Sequence, residues 1–306
     1  MHANRKQLIV IVGPTAVGKT DIAFGLAKKL STEIISADSR QFYKELEIGT
    51  AKPDPWMLQD IKHHFINSLV LDAEYTAGQF ERDAIKVLGQ IFEKRDVAIM
   101  VGGSGLYIQA VCEGLDDMPE IPAGIREKWN QQVAAEGLLQ VQEFVKANDP
   151  GYYELVDKNN PARLIRAAEV IEWSGQPFSS FRSRRTALVR DFECLKVGLN
   201  TERYLLYQRI DQRMDVMIKA GLFAEAESYF SVRHLQALQT VGYQEIFGYL
   251  EGKYDKEEAV RLLKRNSRRY AKRQLTWFKK DSGITWFDRG NDNGIDNWLT
   301  DKGLLL

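Results

Sequence analysis

The aliphatic run Leu8-Ile9-Val10-Ile11-Val12 passes directly into Gly13-Pro14-Thr15-Ala16-Val17-Gly18-Lys19-Thr20, and from there into a helical pattern with Ile22, Ala23, Leu26, Ala27 and Leu30 on one face. Strand, G-x-x-x-x-G-K-T and helix in this order specify a phosphate loop, in which successive backbone N–H groups turn inward on anionic oxygens. The glycines allow the turn, and the following helix adds the positive end of its dipole. Lys19 is placed to reach the outer phosphates, and the Thr20 hydroxyl to ligate Mg²⁺. Residues 13–20 are therefore a diphosphate or nucleotide cradle, and the loop alone does not say which compound it holds.

The elements around the loop alternate. Strands are expected at 8–12, 33–37 and 97–101 and helices at 19–30 and near 76–93, which favours a parallel sheet flanked by helices, with ligands at the carboxyl ends of its strands. From Asp116 to about Arg185 the texture changes to three helical patterns (123–135, 138–147, 161–173) broken by prolines and glycines, with Gly175 to Ser183 linker-like. An aliphatic strand returns at 192–199. Beyond it, apolar residues from Tyr204 to Phe223 recur at three and four, the mark of one long amphipathic helix, followed by helices near 240–250 and 256–280. The expected organisation is a phosphate-binding α/β core over 1–115 and 189–306, with C-terminal basic helices, interrupted by an all-α insertion over 116–188.

No apolar run approaches the ~20 residues that cross a bilayer, and the polar start to Gln7 is not a secretory signal, so a cytoplasmic protein without a membrane partner is expected. The two cysteines, Cys112 and Cys194, are far apart and read as buried thiols. No long exposed apolar face is left over, which favours a monomer. The 42 basic and 42 acidic residues cancel, so overall charge points to no nucleic acid, but its distribution does. Between Arg261 and Lys280 there are nine Lys or Arg and no acid. On a helix Arg261, Lys264, Arg265, Arg268, Arg269, Lys272 and Arg273 make one stripe, and a stripe of one sign on a neutral chain points to a polyanion. Tyr270, Trp277 and Phe278, interleaved with it, are core or stacking surfaces. Arg163, Arg166, Arg182, Arg184 and Arg185 add positive charge to the insertion.

Asp38 ends the second strand and opens Asp38-Ser39-Arg40-Gln41, at the same sheet edge as the phosphate loop. It is a candidate general base, a candidate outer ligand of Mg²⁺, or a cap. Lys52, in Gly49-Thr50-Ala51-Lys52-Pro53, is placed to meet a phosphate or simply to be solvated. After the third strand, Gly102-Gly103-Ser104-Gly105 brings a second glycine-rich turn and the Ser104 hydroxyl toward the same cleft, or is a structural turn. His63-His64 has no second pair at zinc spacing and reads as structural. Strand 97–101 ends in Val-Gly-Gly rather than in a Mg²⁺-organising Asp, which argues against a hydrolysis-driven motor.

The phosphate loop, Asp38-Ser39-Arg40-Gln41, Gly49-Thr50-Ala51-Lys52-Pro53, Gly102-Gly103-Ser104-Gly105-Leu106-Tyr107, Asn160 to Val170, Val241-Gly242-Tyr243-Gln244-Glu245 and Ala271-Lys272-Arg273-Gln274-Leu275-Thr276-Trp277-Phe278, taken in order, resemble the tRNA dimethylallyltransferase family in its compact bacterial form. Two positions depart from the family pattern: Ser104 stands where Thr is usual, and Ala162 where a Gln often precedes Arg163. The resemblance implies transfer of a dimethylallyl group from dimethylallyl diphosphate to N6 of the adenosine just 3′ of the anticodon in tRNA. It implies that Lys19, Arg213 and Mg²⁺ on Thr20 neutralise the departing diphosphate, that Asp38 accepts the amine proton, and that Ser104 belongs to the catalytic set. It further implies that Asp38, Ser39, Arg40, Gln41 and Ser104 meet the anticodon loop, with Arg126, Arg163, Arg166, Arg268, Arg269, Lys272 and Arg273 on the RNA backbone. Two rivals are a P-loop small-molecule or nucleotide kinase binding ATP, which leaves the basic stripe unexplained, and a non-catalytic RNA-binding module, which leaves the converging phosphate loop, Asp38 and Ser104 unexplained.

Overall fold

The computed structural model describes residues 6–116, 118–182 and 190–305. They form two compact units, one from residues 1–112 and 190–306 and one from 113–189.

The first unit is built on six parallel strands, β1 (Lys6–Val12), β2 (Ile34–Ser36), β3 (His63–His64), β4 (Val97–Val101), β5 (Phe192–Asn200) and β6 (Ile284–Asp288), in the spatial order β3-β2-β4-β1-β5-β6. Central β1 has no exposed face: Leu8, Val10 and Val12 enter one core and Ile9 and Ile11 the other. A strand that is apolar and buried at every position from Leu8 to Val12 needs helices on both sides. One side receives α1 (Lys19–Lys29) through Ile22, Ala23, Leu26 and Ala27, and the other receives α3 (Ala77–Phe92) through Phe80, Ala84, Leu88 and Ile91. A capping box starts α3: Gln79 N–H donates to Thr76 Oγ1 (3.2 Å) and Thr76 N–H to Gln79 Oε1 (2.7 Å).

The remaining helices of this unit are α2 (Pro55–Asp60), α4 (Gly105–Glu113), which runs to the boundary, α10 (Arg203–Lys219), α11 (Leu222–Ser228), α12 (Tyr243–Leu250), α13 (Lys256–Phe278) and α14 (Asp292–Asp301). The single long helix expected through Phe223 is two. Gly221 sits at φ +105°, a conformation that ends α10 and turns Leu222 inward to full burial. β3, β6, α2, α4 and α14 were not anticipated. Cys112 and Cys194 are half-buried against the core rather than fully buried.

The second unit contains α5 (Ala123–Glu136), α6 (Leu139–Asn148), α7 (Pro150–Leu155), α8 (Pro161–Ser174) and α9 (Phe178–Arg182) around its own core of Trp129, Val141, Val145, Leu164 and Ile171. Among the described residues five helices therefore stand where three were expected, and α9 occupies residues 178–182 of the stretch read as a linker. Asp149 explains why so short a segment is ordered. Its buried carboxylate accepts Tyr152 N–H (3.0 Å), Ser179 N–H (2.7 Å) and the Ser179 hydroxyl (2.9 Å), tying α7 to α9. Among the described residues no helix is long and apolar enough to cross a membrane.

Candidate active site

At the carboxyl ends of β1, β2 and β4 the first unit carries two adjoining cavities that share Thr15, Asp38, Arg213 and Tyr270 in their walls. One is polar, with Lys19, Thr20, Ser36, Gln41 and Gln274. The other has a mixed lining, in which Ile210, Met214, Met217, Leu222 and Val241 stand beside Asp38, Arg40, Thr50, Arg213 and Ser267.

The phosphate loop forms the wall of the polar cavity. Ala16 (φ +64°) and Gly18 (φ +96°) both adopt left-handed backbone, and no side chain caps α1 among the described residues, so its first-turn N–H groups are left for a ligand. Holding a non-glycine residue in that region costs of order 1–3 kcal/mol, a strain that collects at functional sites. Lys19 folds back to donate to the Pro14 carbonyl (2.9 Å). Burial takes its ammonium from 10.5 down to about 8, against the attraction of Asp38 and helped by the repulsion of Arg213. Arg213 donates to Thr15 Oγ1 (3.3 Å) and is likewise lowered by burial, with Asp38 opposing. Two cations thus face one carboxylate in a desolvated site, an arrangement short of negative charge.

Asp38 fulfils the capping reading as well as facing both cavities: Arg40 N–H donates to its Oδ1 (3.1 Å). The Ser104 hydroxyl is not part of either cavity wall. It donates to Ser39 Oγ (3.2 Å) and accepts Ser39 N–H (3.0 Å), and so fixes the turn that aims Asp38. Arg40 donates to the carbonyls of Gln236 (2.8 Å) and Ala237 (3.3 Å). Gln41 is buried between Ser36 and the carbonyls of Thr50 and Ala51. Lys52 meets the carbonyls of Tyr43 and Lys44. His64 pairs with Glu33 (2.6 Å) on β3, and among the described residues no cluster of three His, Cys, Asp or Glu is placed to hold a metal.

One face of α13 completes the site with residues the sequence reading did not single out. Gln274 accepts Thr15 N–H (2.8 Å) and donates to the Gly103 carbonyl (3.0 Å), joining both glycine-rich turns. A Cβ on Gly103 would lie 2.2 Å from its amide nitrogen, so only glycine permits the contact. Tyr270, grouped above with core or stacking aromatics, forms part of both cavity walls, its hydroxyl pushed up to about 12 by burial and by Asp38. The signal was available: a glutamine between Ala271 and Phe278 on an apolar helical face is a buried amide that needs partners.

The basic stripe on α13 is less uniform than its sequence. Arg268 donates to both carboxylate oxygens of Asp211 (2.5 and 2.7 Å), Lys264 pairs with Asp215 (2.6 Å) and Arg261 with Glu258. Arg269, Lys272 and Arg273 are exposed, Arg273 lying over the Tyr270 ring. In the helical unit Arg126 and Arg166 converge on Glu169, which is 1 % exposed. Burial pushes that carboxyl up, but the hydrogen bonds and charges of the two guanidiniums outweigh it and hold it below its ordinary range. The Arg163 side chain is exposed at the start of α8, where Asn160 Oδ1 accepts its N–H (3.2 Å), and Arg182 lies over Tyr152. Arg184 and Arg185 lie outside the described residues.

Residues 41–281 match the model of a family described as IPP transferase. The tRNA dimethylallyltransferase of Cytophaga hutchinsonii is 46% identical over 97% of both chains. That of Christiangramia forsetii is 48% identical over 96% of this chain and 98% of its own. The tRNA isopentenylpyrophosphate transferase of Bacillus halodurans has a similar structure, with TM-score 0.70, 36% identity and coverage of 97% and 96% of the two chains. A eukaryotic dimethylallyltransferase acting on tRNA shares the fold at TM-score 0.81 and 24% identity, over 97% of this chain and 80% of its own. The P-loop NTPase-like sheet expected from the sequence is the fold of these neighbours.

Proposed function

We propose a reaction for a chain that belongs to the IPP transferase family: transfer of a dimethylallyl group from dimethylallyl diphosphate to N6 of the adenosine immediately 3′ of the anticodon in tRNA, with release of diphosphate. The observation that carries it is the pair of cavities sharing one wall, a cationic one on the phosphate loop and a second in which Met214, Met217 and Leu222 form an apolar patch beside Asp38. Such a site suits a donor with a diphosphate head and a hydrocarbon tail.

An exocyclic adenine amine is a weak nucleophile because its lone pair is delocalised into the ring. The site must therefore make the allylic carbon electrophilic. As the N6–C1 bond forms and the C1–O bond breaks, negative charge grows on the leaving diphosphate, where Lys19, Arg213 and the open N–H groups of α1 are already in place. The proton lost from N6 passes to the Asp38 carboxylate, whose Oδ1 is steadied by Arg40 N–H. Mg²⁺ fits the oxygen chemistry here: Thr20 together with the diphosphate oxygens would hold it, as suits a cation that favours phosphates over an all-protein cage. When bound, it adds charge neutralisation to the leaving group. The target base must leave its stack to reach Asp38, at a cost of a few kcal/mol, offset by backbone contacts from exposed cations such as Arg269 and Lys272.

The reading describes a cytoplasmic enzyme, supported by relatives named for tRNA, and takes it to act as a monomer. Labelled dimethylallyl diphosphate and labelled ATP, each supplied with and without tRNA, test it. Label should enter RNA from the isoprenoid donor alone, and steady ATP turnover without RNA would establish the kinase instead.

A further inference from the structure

One helix supplies much of the apolar lining of the second cavity. Ile210, Arg213, Met214 and Met217 project from one face of α10, and Met217 lies one turn, about 6 Å, beyond the diphosphate-facing Arg213. There the helix stops. Gly221 turns the chain back, and fully buried Leu222 lines the same cavity.

The stretch that brings Gly49 and Thr50 to the same cavity is held by a clamp from the helix that Leu222 begins. Glu225 on α11 accepts three consecutive backbone N–H groups, from Glu47 (3.1 Å), Ile48 (2.9 Å) and Gly49 (2.8 Å), and the Tyr243 hydroxyl (2.6 Å). Tyr243 is wholly buried, and a Cβ on Gly49 would sit 2.4 Å from its hydroxyl oxygen. A carboxylate on three amides of one loop is charge-assisted and rigid. That stretch and the α10–α11 turn are therefore locked to each other by the same side chain, and the cavity cannot widen between them without breaking that lock.

We propose that Met217 and Leu222, fixed by the Glu225 clamp, measure the donor and restrict it to a single five-carbon unit. This rests on the reading above that the cavity receives the allylic tail. A ten-carbon donor such as geranyl diphosphate would meet Met217 and Leu222 before its diphosphate reached the phosphate loop. Glu225 acts here as a positioning residue, since it bonds the wall rather than the substrate.

The test is the ratio of kcat/KM for geranyl to that for dimethylallyl diphosphate, measured with one tRNA on the wild type, Met217→Ala, the milder Met217→Val and Glu225→Gln. Each methylene is worth about tenfold or more in an apolar pocket, so the ratio should rise about tenfold or more in Met217→Ala and in the same direction in Met217→Val. Glu225→Gln should raise it as well, a change that mere loss of stability would not produce. A ratio held at the wild-type value in folded Met217 variants overturns the ruler. A wild type that transfers nothing from dimethylallyl diphosphate overturns the underlying reading instead.

Discussion

Replacing Lys19 by methionine should stabilise the unliganded protein while abolishing donor binding. Its ammonium titrates near 8 in the folded chain against 10.5 when unperturbed. Because the folded state gives up the proton first, between these values the unfolded chain binds more protons, and stability rises with pH across that window. Below about pH 8 both states are charged, and the folded one carries the full burial cost. At about 1.4 kcal/mol per tenfold in proton affinity, the cost is about 3 kcal/mol. Loss of the bond to Pro14 returns about 1 kcal/mol, leaving a net gain for the variant of roughly 2 kcal/mol, or about 4–8 °C in Tm for a unit of this size. Thermal unfolding at pH 7 without ligand should show that gain, and by pH 10.5 it should have largely vanished. Added diphosphate should raise Tm in the wild type alone. A variant no more stable than the wild type at pH 7 would refute the claim that the empty site carries an uncompensated charge.

Asp38→Asn should slow single-turnover transfer by roughly 10²–10⁴-fold with tRNA affinity nearly unchanged, and an affinity loss as large as the rate loss would remove it as the proton acceptor. Charge reversal at Arg269 and Lys272 should weaken tRNA binding and flatten the slope of log affinity on log salt by roughly 0.7–0.9 for each phosphate no longer neutralised, whereas Arg268→Ala, which frees Asp211, should show mainly as about 1 kcal/mol or less in denaturant unfolding. Glu169→Gln should cost the helical unit roughly 2 kcal/mol near neutral pH. Since that carboxyl titrates below its ordinary value of 4.5, the contribution is complete above 4.5 and fades as acid carries the pH down through the folded value, so acid unfolding should separate wild type from variant less as pH falls.

Strong local patterns made much of the fold legible before any coordinates. β1, β4, α1 and α3 are long, periodic and flanked by glycine or a capping pair, and each lies within two residues of its expected limits. The two-residue β3 and edge strand β6 escaped because their definition comes from pairing with β2 and β5 rather than from alternation. The break at Gly221 escaped because Leu222 and Phe223 continue the apolar spacing of α10, and only the left-handed backbone reveals the turn. In the site, Lys19, Thr20, Asp38 and Arg213 were readable from motif and resemblance. Gln274 and Tyr270 arrive from some 250 positions downstream, a juxtaposition that no local pattern encodes. The basic stripe misled in part, for Asp211 and Asp215, which neutralise two of its members, lie on a different helix.

The central strand has a consequence for synthesis. β1 bonds β4 on one side and β5 on the other, with Leu8 in register with Ala98 and with Cys194. At about 5–20 residues per second, its second edge stays unsatisfied for roughly 10–40 s after it leaves the ribosome, while the whole helical unit is made. Only when β5 emerges can the phosphate loop be locked between its neighbours, so a nascent chain stalled near residue 190 would present an apolar strand edge to chaperones or to other nascent chains.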